Sequence, residues 1–503
     1  MSAAASERDA GAGQPITRRE FVARGAAGAA ALVAAGCGRS RAGGGRTPGP
    51  ARVVVAGAGL AGLAAALELV RRGHPVTVLE ARGRPGGRVH TLRDGWSDGL
   101  YAEAGAVYVP EHHTHTVGYA RELGVPLVPA RARRGGGARC FVAGRSVTLR
   151  PGAPTAWPLA LRADEAGLTP GALLSRYLDP VLERIGDPDH PSWPGEAALE
   201  LDGVSLAELL LRRGASPAAV RLMRLGYLDE WGDGVDACSA LSLLRDRALL
   251  GHGGVFRIDG GTDRLPRAFA ARLEPRIRYG AAVRSVEHGP WGVRVAFDQG
   301  GARETAAGDF LVCALPFPVL RSIPVTPGFS PGKRRAVQGL RTTSVTRVYL
   351  QLRRRRWDAA GAAVPTDLPV MHLVEATVGQ PGERAILEAF ITGPNARRVA
   401  AMEPGERIRF ALEQAARVHP RVPRVFEHGA SVCWDADPWA LGDYAWFAPG
   451  EMRSFLPHLA TPEGRIHFAG DHTSACPGWM QGALASGIRA AEAVHAAATV
   501  DGT

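Results

Sequence analysis

Lysine is almost missing from this chain. Its sixty basic residues include a single lysine, Lys333, so nearly all of the positive charge is guanidinium. Cysteine is sparse and scattered, at 37, 140, 238, 313, 433 and 476. No C-x-x-C or Cys/His spacing is present, which argues against a metal centre. The cysteines after Cys37 read as buried thiols. There is no basic helix and no aromatic-interleaved basic patch. The net charge of +11 therefore reads as a solvated arginine surface, not a nucleic-acid site. Residues 1–50 carry seven arginines against three acids, so +4 of that charge sits there and +7 on the rest. The densest basic run, Arg353 to Arg356, reads as a turn after a strand. The alanine-rich apolar run from Gly25 to Gly36 is too short to span a membrane as a stable helix. No acid–base catalytic triad is evident. At 503 residues and 46% hydrophobic content, the chain is globular and too long for one core, so two or more domains are expected.

What is present is glycine, 64 of them, and one ordered use of it. Val53, Val54 and Val55 form a β-branched run suited to a strand buried on both faces. Gly57, Gly59 and Gly62 follow as G-x-G-x-x-G. The first allows a tight turn, the second lets backbone approach a pyrophosphate, and the third lets helix pack on strand. Leu63, Leu67 and Val70 recur at helical spacing, so the helix buries one face and offers its N-terminus to phosphate. Gly73 suits the helix stop, and a second strand runs from Val76 to Glu80. An acid there suits ribose hydroxyls. Strand, turn, helix, strand and acid in this order predict dinucleotide binding.

Ahead of this unit, Arg18 and Arg19 precede the weakly apolar run. They resemble a twin-arginine export signal, which carries folded proteins and so permits a cofactor loaded beforehand. Ala35-Gly36-Cys37 resembles the end of a lipoprotein cleavage site, with Ala34 where leucine is more usual. The expectation is an exported protein that meets the export machinery. Its only membrane attachment would be a lipid on Cys37. Arg39 to Pro50 reads as a linker.

After Glu80, the turn Arg82-Gly83-Arg84-Pro85-Gly86-Gly87-Arg88 carries three cations, and YAEAGAVY spans Tyr101 to Tyr108. Taken with the dinucleotide unit, R-x-G-G-R resembles the flavin amine oxidase family, which includes monoamine, polyamine and L-amino acid oxidases. The resemblance implies FAD. It places Gly57, Gly59, Leu60, Ala61, Gly62, Glu80, Ala81, Arg82, Gly87 and Arg88 at its adenosine and diphosphate end. It also implies that Gly105, Ala106, Val107 and Tyr108 pass close to the flavin ring. Val283 matches the position whose backbone contacts adenine. Gly464 to Asp471, then Gly478-Trp479-Met480-Gln481, match the last element. There Gly470 and Asp471 would meet the ribityl chain, and the helix start would face the flavin carbonyl. Asp471 replaces the more frequent glutamate. Asp443 sits where some relatives carry a cysteine bound to FAD, so the cofactor is expected to be non-covalent.

Between these parts the pattern changes. Helices are predicted at Pro170 to Ile185, Ser205 to Arg213 and Pro217 to Leu225, with Ser205 and Ser216 as N-caps. Gly226 to Trp231 brings two aromatics and two acids together. Asp229 or Glu230 could attract a cationic amine there, although surface acids are the plainer reading. Glu111 to Thr116 clusters three histidines and reads as an exposed loop leading into a helix from 114 to 123. Ile277 to Val286 reads as one strand, and Val293, Val295 and Phe297 alternate on another. From Thr346 to Leu352, Val348, Leu350 and Leu352 share one face, and Arg347, Tyr349 and Gln351 the other.

The fold class expected is α/β: a Rossmann-like FAD-binding domain, a mixed α+β substrate domain and a helical insertion. Its segments are 1–50 (signal and linker), 51–115, 246–320 and 431–503 (FAD binding), 116–245 (helical and substrate) and 321–430 (substrate). By resemblance, Tyr444 and Trp479 match the two aromatic positions that flank an amine, and Trp439 is a wall of the pocket. Arg347 stands where most of the family carries a lysine that holds a water beside the flavin. Either it holds that water by another geometry, or oxygen reactivity is altered. The implied chemistry is hydride transfer from the carbon beside an amine nitrogen, giving an imine and then hydrogen peroxide from oxygen. Tyr108 stands where L-amino acid oxidases carry an arginine for the carboxylate, so the reading leans to an amine without one. L-amino acid oxidation to a 2-oxo acid is the alternative, which Arg347 keeps open. A desaturase or an inactive flavin-binding protein are further alternatives.

Overall fold

The computed structural model describes residues 49–500 except 131–137, 151, 191, 226–227, 250, 252 and 356–362. The export signal, Cys37, Tyr227, Arg356 and most of the Arg39 to Pro50 linker thus lie outside the described residues. Ten strands and two helices position the site: β1 (Val53–Ala56), α1 (Leu60–Arg71), β2 (Val76–Glu80), β3 (Ile277–Tyr279), β4 (Phe310–Cys313), β5 (Val345–Leu352), β6 (Ala363–Pro365), β7 (His372–Glu375), β8 (Ala385–Thr392), β9 (Phe426–Cys433), β10 (Ile466–Phe468) and α2 (Met480–Val500).

The first sheet has the order β3-β2-β1-β4-β10, and every neighbouring pair is parallel. All four residues of β1 are buried, as a β-branched strand covered on both faces requires. On one side of the sheet α1 and α2 pack together. Gly487 of α2 comes so close that a Cβ there would sit 2.2 Å from the Ala61 carbonyl oxygen. That crossing corrects the one-faced reading of α1. Ala61, Ala64, Ala65 and Ala66 are buried along with Leu63 and Leu67, because the helix is enclosed by both the sheet and α2.

The predicted strand Ile277–Val286 is two strands. Gly280, at φ +68°, breaks it. β3 joins the parallel sheet, while Ala282–Gly289 pairs antiparallel with Gly292–Gln299 in a separate sheet. A second five-stranded sheet runs β6-β7-β8-β5-β9, antiparallel throughout. β5 lies inside it with both faces buried, so its alternation separates two cores, not core from water. The helices Pro170–Ile185, Leu206–Arg212 and Pro217–Arg224 form as expected. Ser205 and Ser216 accept from Glu208 N at 3.2 Å and Ala219 N at 3.1 Å, the N-cap bonds. Cys140, Cys238, Cys313 and Cys433 are buried free thiols, and Cys476 is only half-buried. No helix among the described residues is long and apolar enough to cross a membrane.

Candidate active site

One cavity runs from the glycine turn after β1 to an aromatic chamber beside the second sheet. At its first end Gly57 turns with φ +100°. A Cβ on Gly62 would meet the Gly57 carbonyl oxygen at 2.0 Å, so this third glycine is what seats α1 on the turn. A Cβ on Gly59 would meet nothing within 4 Å, because that position faces the cavity. No side chain caps the start of α1, and its first turn holds no acid. The amides there are free to meet an anionic group. Leu60 and Ala61 line the same space.

Glu80, Ala81 and Arg82 form the opposite wall. The Glu80 carboxylate accepts from Ala58 N at 2.7 Å and from Arg82 N at 2.8 Å, so it braces the turn as well as facing the cavity. Burial raises its pKa against those two bonds and the nearby arginines. Arg82 pairs with Asp437 at 2.5 Å.

Gly87, at φ +57°, leads into Arg88. Arg88 donates to Asp471 at 2.5 Å and to the Asp443 carbonyl. This ties the second strand's turn to the chain's last element. Burial favours a neutral Asp471, but the Arg88 charge, His472 and the Gly478 N–H at 2.9 Å overcome it and hold the pKa well below the usual range. Burial raises Asp443 to about 6 despite Arg88 and Arg347. Gly105 is a forced close approach, since a Cβ there would lie 1.7 Å from the Arg88 carbonyl oxygen. Gly105, Ala106, Val107, Gly470, Gly478, Trp479 and Met480 all line the cavity.

Three expected cofactor positions lie off it. Gly62, inside the first turn of α1, is packed against the Gly57 carbonyl. Val283 belongs to the core between sheets. Gln481 turns away and accepts from the amides of His115 at 3.0 Å and Thr116 at 3.1 Å, capping the helix Thr114–Glu122.

The other end of the cavity gathers Tyr108, Arg347, Trp439, Tyr444 and Trp479, each anticipated from the chain. Tyr444 is fixed by a hydrogen bond from its hydroxyl to the Glu230 carbonyl at 2.5 Å and by an edge contact to Trp231 at 4.9 Å. His113 meets the Trp479 ring edge-on at 5.0 Å. It is buried, and burial lowers its pKa to about 4, so the expected exposed loop is instead packing behind the chamber.

Four chamber residues escaped the sequence reading: Glu388, Phe390, His372 and Arg257. Glu388 of β8 holds Arg347 at 3.1 Å, and the Phe390 ring lies 4.8 Å from the guanidinium carbon. In AILEAFIT a lone acid stands in an apolar strand. A buried charge needs a partner, so that was the available signal. Glu230 lines the cavity and approaches His372 at 3.2 Å, which corrects its reading as a surface acid. Asp229 does not line it; it sits 3.5 Å from Arg224.

A parallel sheet whose glycine turn and second-strand acid share a cavity with an aromatic chamber has the layout of a dinucleotide-dependent oxidoreductase. The family model described as flavin containing amine oxidoreductase matches residues 60–495, and the chain belongs to that family. Membership implies FAD and, at the family level, oxidation of an amine with production of hydrogen peroxide.

A provisionally named L-amino-acid oxidase, YobN of Bacillus subtilis (strain 168), is 30% identical over 468 residues, 89% of this chain and 95% of its own. L-amino-acid oxidase BmooLAAO-I of Bothrops moojeni is 27% identical over 90% of each chain. The solved cyclohexylamine oxidase of Brevibacterium oxydans IH-35A shares the fold, with a TM-score of 0.75 at 24% identity over 89% of this chain and 99% of its own.

The cradle fits FAD. Glu80 would hold the adenosine ribose, the open space at Gly59 and the uncapped start of α1 the diphosphate, and the Arg88–Asp471 pair the ribityl portion.

Proposed function

We propose that this chain is an FAD-dependent L-amino acid oxidase, converting an L-amino acid to a 2-oxo acid and ammonia. The observation that carries the reading is the single cavity joining the dinucleotide cradle to a chamber walled by Tyr108, Phe390, Trp439, Tyr444 and Trp479. Amino acid is preferred over simple amine because curated relatives that align along most of both chains are L-amino-acid oxidases. This reverses the preference drawn from Tyr108 alone. When bound, FAD would supply the acceptor for hydride from the α-carbon and the route of the electrons to oxygen as hydrogen peroxide, with water hydrolysing the imino acid to 2-oxo acid and ammonia. Tyr444 and Trp479 orient the amine with their ring faces and exclude water. Arg347, bound to Glu388, supplies a fixed positive charge that, unlike a lysine, does not give up its proton. We read the cofactor as non-covalent. We also retain residues 17–37 as an export signal, for which Arg18→Lys with Arg19→Lys should trap the protein inside the cell.

The test is a peroxide-coupled screen of the twenty L-amino acids against the amines formed by their decarboxylation. Turnover of at least one amino acid above its amine is expected. Activity on amines alone would return the reading to a simple amine oxidase. Activity on neither would sink both.

A further inference from the structure

Four arginines line the cavity among the described residues, and three are already matched to acids: Arg82 with Asp437, Arg88 with Asp471 and Arg347 with Glu388. The fourth, Arg257, is not. Its guanidinium makes one hydrogen bond among the described residues, to the Ala376 carbonyl at 3.3 Å, and no carboxylate there lies within salt-bridge distance. It is half-buried, and its guanidinium carbon lies 5.5 Å from the centre of the Tyr108 ring.

The backbone dictates this placement. Val109–Pro110 pairs antiparallel with Val255–Ile258, Val109 opposite Phe256. One step further along that register sets Tyr108 beside Arg257. The position where the sequence shows a tyrosine in place of arginine therefore receives an arginine from the neighbouring strand. The guanidinium stacks on the tyrosine ring and keeps its remaining donors for the cavity. A half-buried cation with no salt-bridge partner among the described residues, lining the cavity beside Tyr108, suits an anionic group on the ligand.

Resting on the L-amino acid oxidase reading, we infer that Arg257 binds the substrate α-carboxylate and makes the pocket selective for amino acids over amines. It pairs bidentately with the carboxylate, as a planar guanidinium does. Arg347 already has its charge paired with Glu388 at 3.1 Å, so Arg257 is the stronger candidate for that contact.

The experiment compares the FAD-loaded wild type with Arg257→Gln and Arg257→Lys. The substrates are each L-amino acid that the enzyme oxidises and its decarboxylated amine, for instance L-phenylalanine and 2-phenylethylamine. In Arg257→Gln, KM for the amino acid should rise by about a hundredfold with kcat little changed, the scale of lost charge-assisted hydrogen bonds. The amine should stay within about threefold, and Arg257→Lys should recover part of the loss. An equal fall for both substrates, or no change for either, overturns the inference.

A second readout does not need turnover: perturbation of the flavin absorbance by benzoate. Benzoate should bind the wild type and bind Arg257→Lys more weakly. Equal binding overturns the inference even if Arg257→Gln fails to fold. A wild type that oxidises no L-amino acid overturns the proposed function, and the benzoate comparison still reads Arg257 separately.

Discussion

Arg347 and Glu388 sit on adjacent strands, each less than a tenth exposed. Burying two charges is costly, and removing one partner leaves the other uncompensated. Arg347→Met or Glu388→Gln should each lower the free energy of unfolding by about 3–5 kcal/mol, whereas Arg347→Met combined with Glu388→Leu should recover most of it. Urea unfolding of the four proteins checks this; losses that simply add in the double variant would count against the pair. Asp443 carries a pH prediction. Burial raises its pKa from 3.8 to about 6, against the pull of Arg88 and Arg347. A carboxyl raised on folding stabilises below its unfolded pKa, and that contribution is lost as pH rises through about 6. Asp443→Asn should therefore match the wild type near pH 4 and exceed it by about 2 kcal/mol at pH 7.5 in the FAD-free protein. Thermal melts across that range decide it, and a difference that does not vary with pH is the contrary result.

At the scale of elements, the glycine turn separates folding from binding. The cavity lies over Gly59, and the turn carbonyl lies over Gly62. Gly59→Ala should melt like the wild type without FAD yet bind FAD at least about tenfold more weakly, because the methyl fills space the diphosphate needs. Gly62→Ala should lose about 1–3 kcal/mol of stability with or without FAD, since α1 has to lift off the turn. Calorimetry with and without cofactor distinguishes the two; reversed phenotypes would mean the glycine roles are misassigned. The turn and β1, α1 and β2 were readable in advance because their signals are local: β-branched residues, glycine spacing and an acid at a strand end. The burial of α1 on both sides was not, since it depends on Gly487 more than four hundred residues later. The split at Gly280 was also missed, because a glycine between two apolar runs reads equally as a bulge within one strand.

For the whole molecule, the cavity joins segments distant in sequence: the turn after β1, Gly105 to Tyr108, the second sheet and Gly470 to Met480. Such a site gains stability from its ligand by mass action. FAD at a hundred times its dissociation constant should add about 2.7 kcal/mol and raise the melting temperature accordingly. With Asp443 in place of a linking cysteine, acid precipitation should leave all the flavin in the supernatant. Flavin retained in the pellet would contradict non-covalent binding.

By itself the sequence pointed to the dinucleotide cradle, to the family and to Tyr444 and Trp479 as residues of the cavity, because each rests on residues close in the chain or on a recognisable motif. Only the tertiary structure decided the charges of the chamber. It closed Arg347 onto Glu388, drew Glu230 in from an apparent surface and set Arg257 beside Tyr108. Those are pairings between strands, and a strand's own residues do not say which neighbour its side chains will meet. The substrate preference read from Tyr108 alone missed a cation that arrives from the strand next to it.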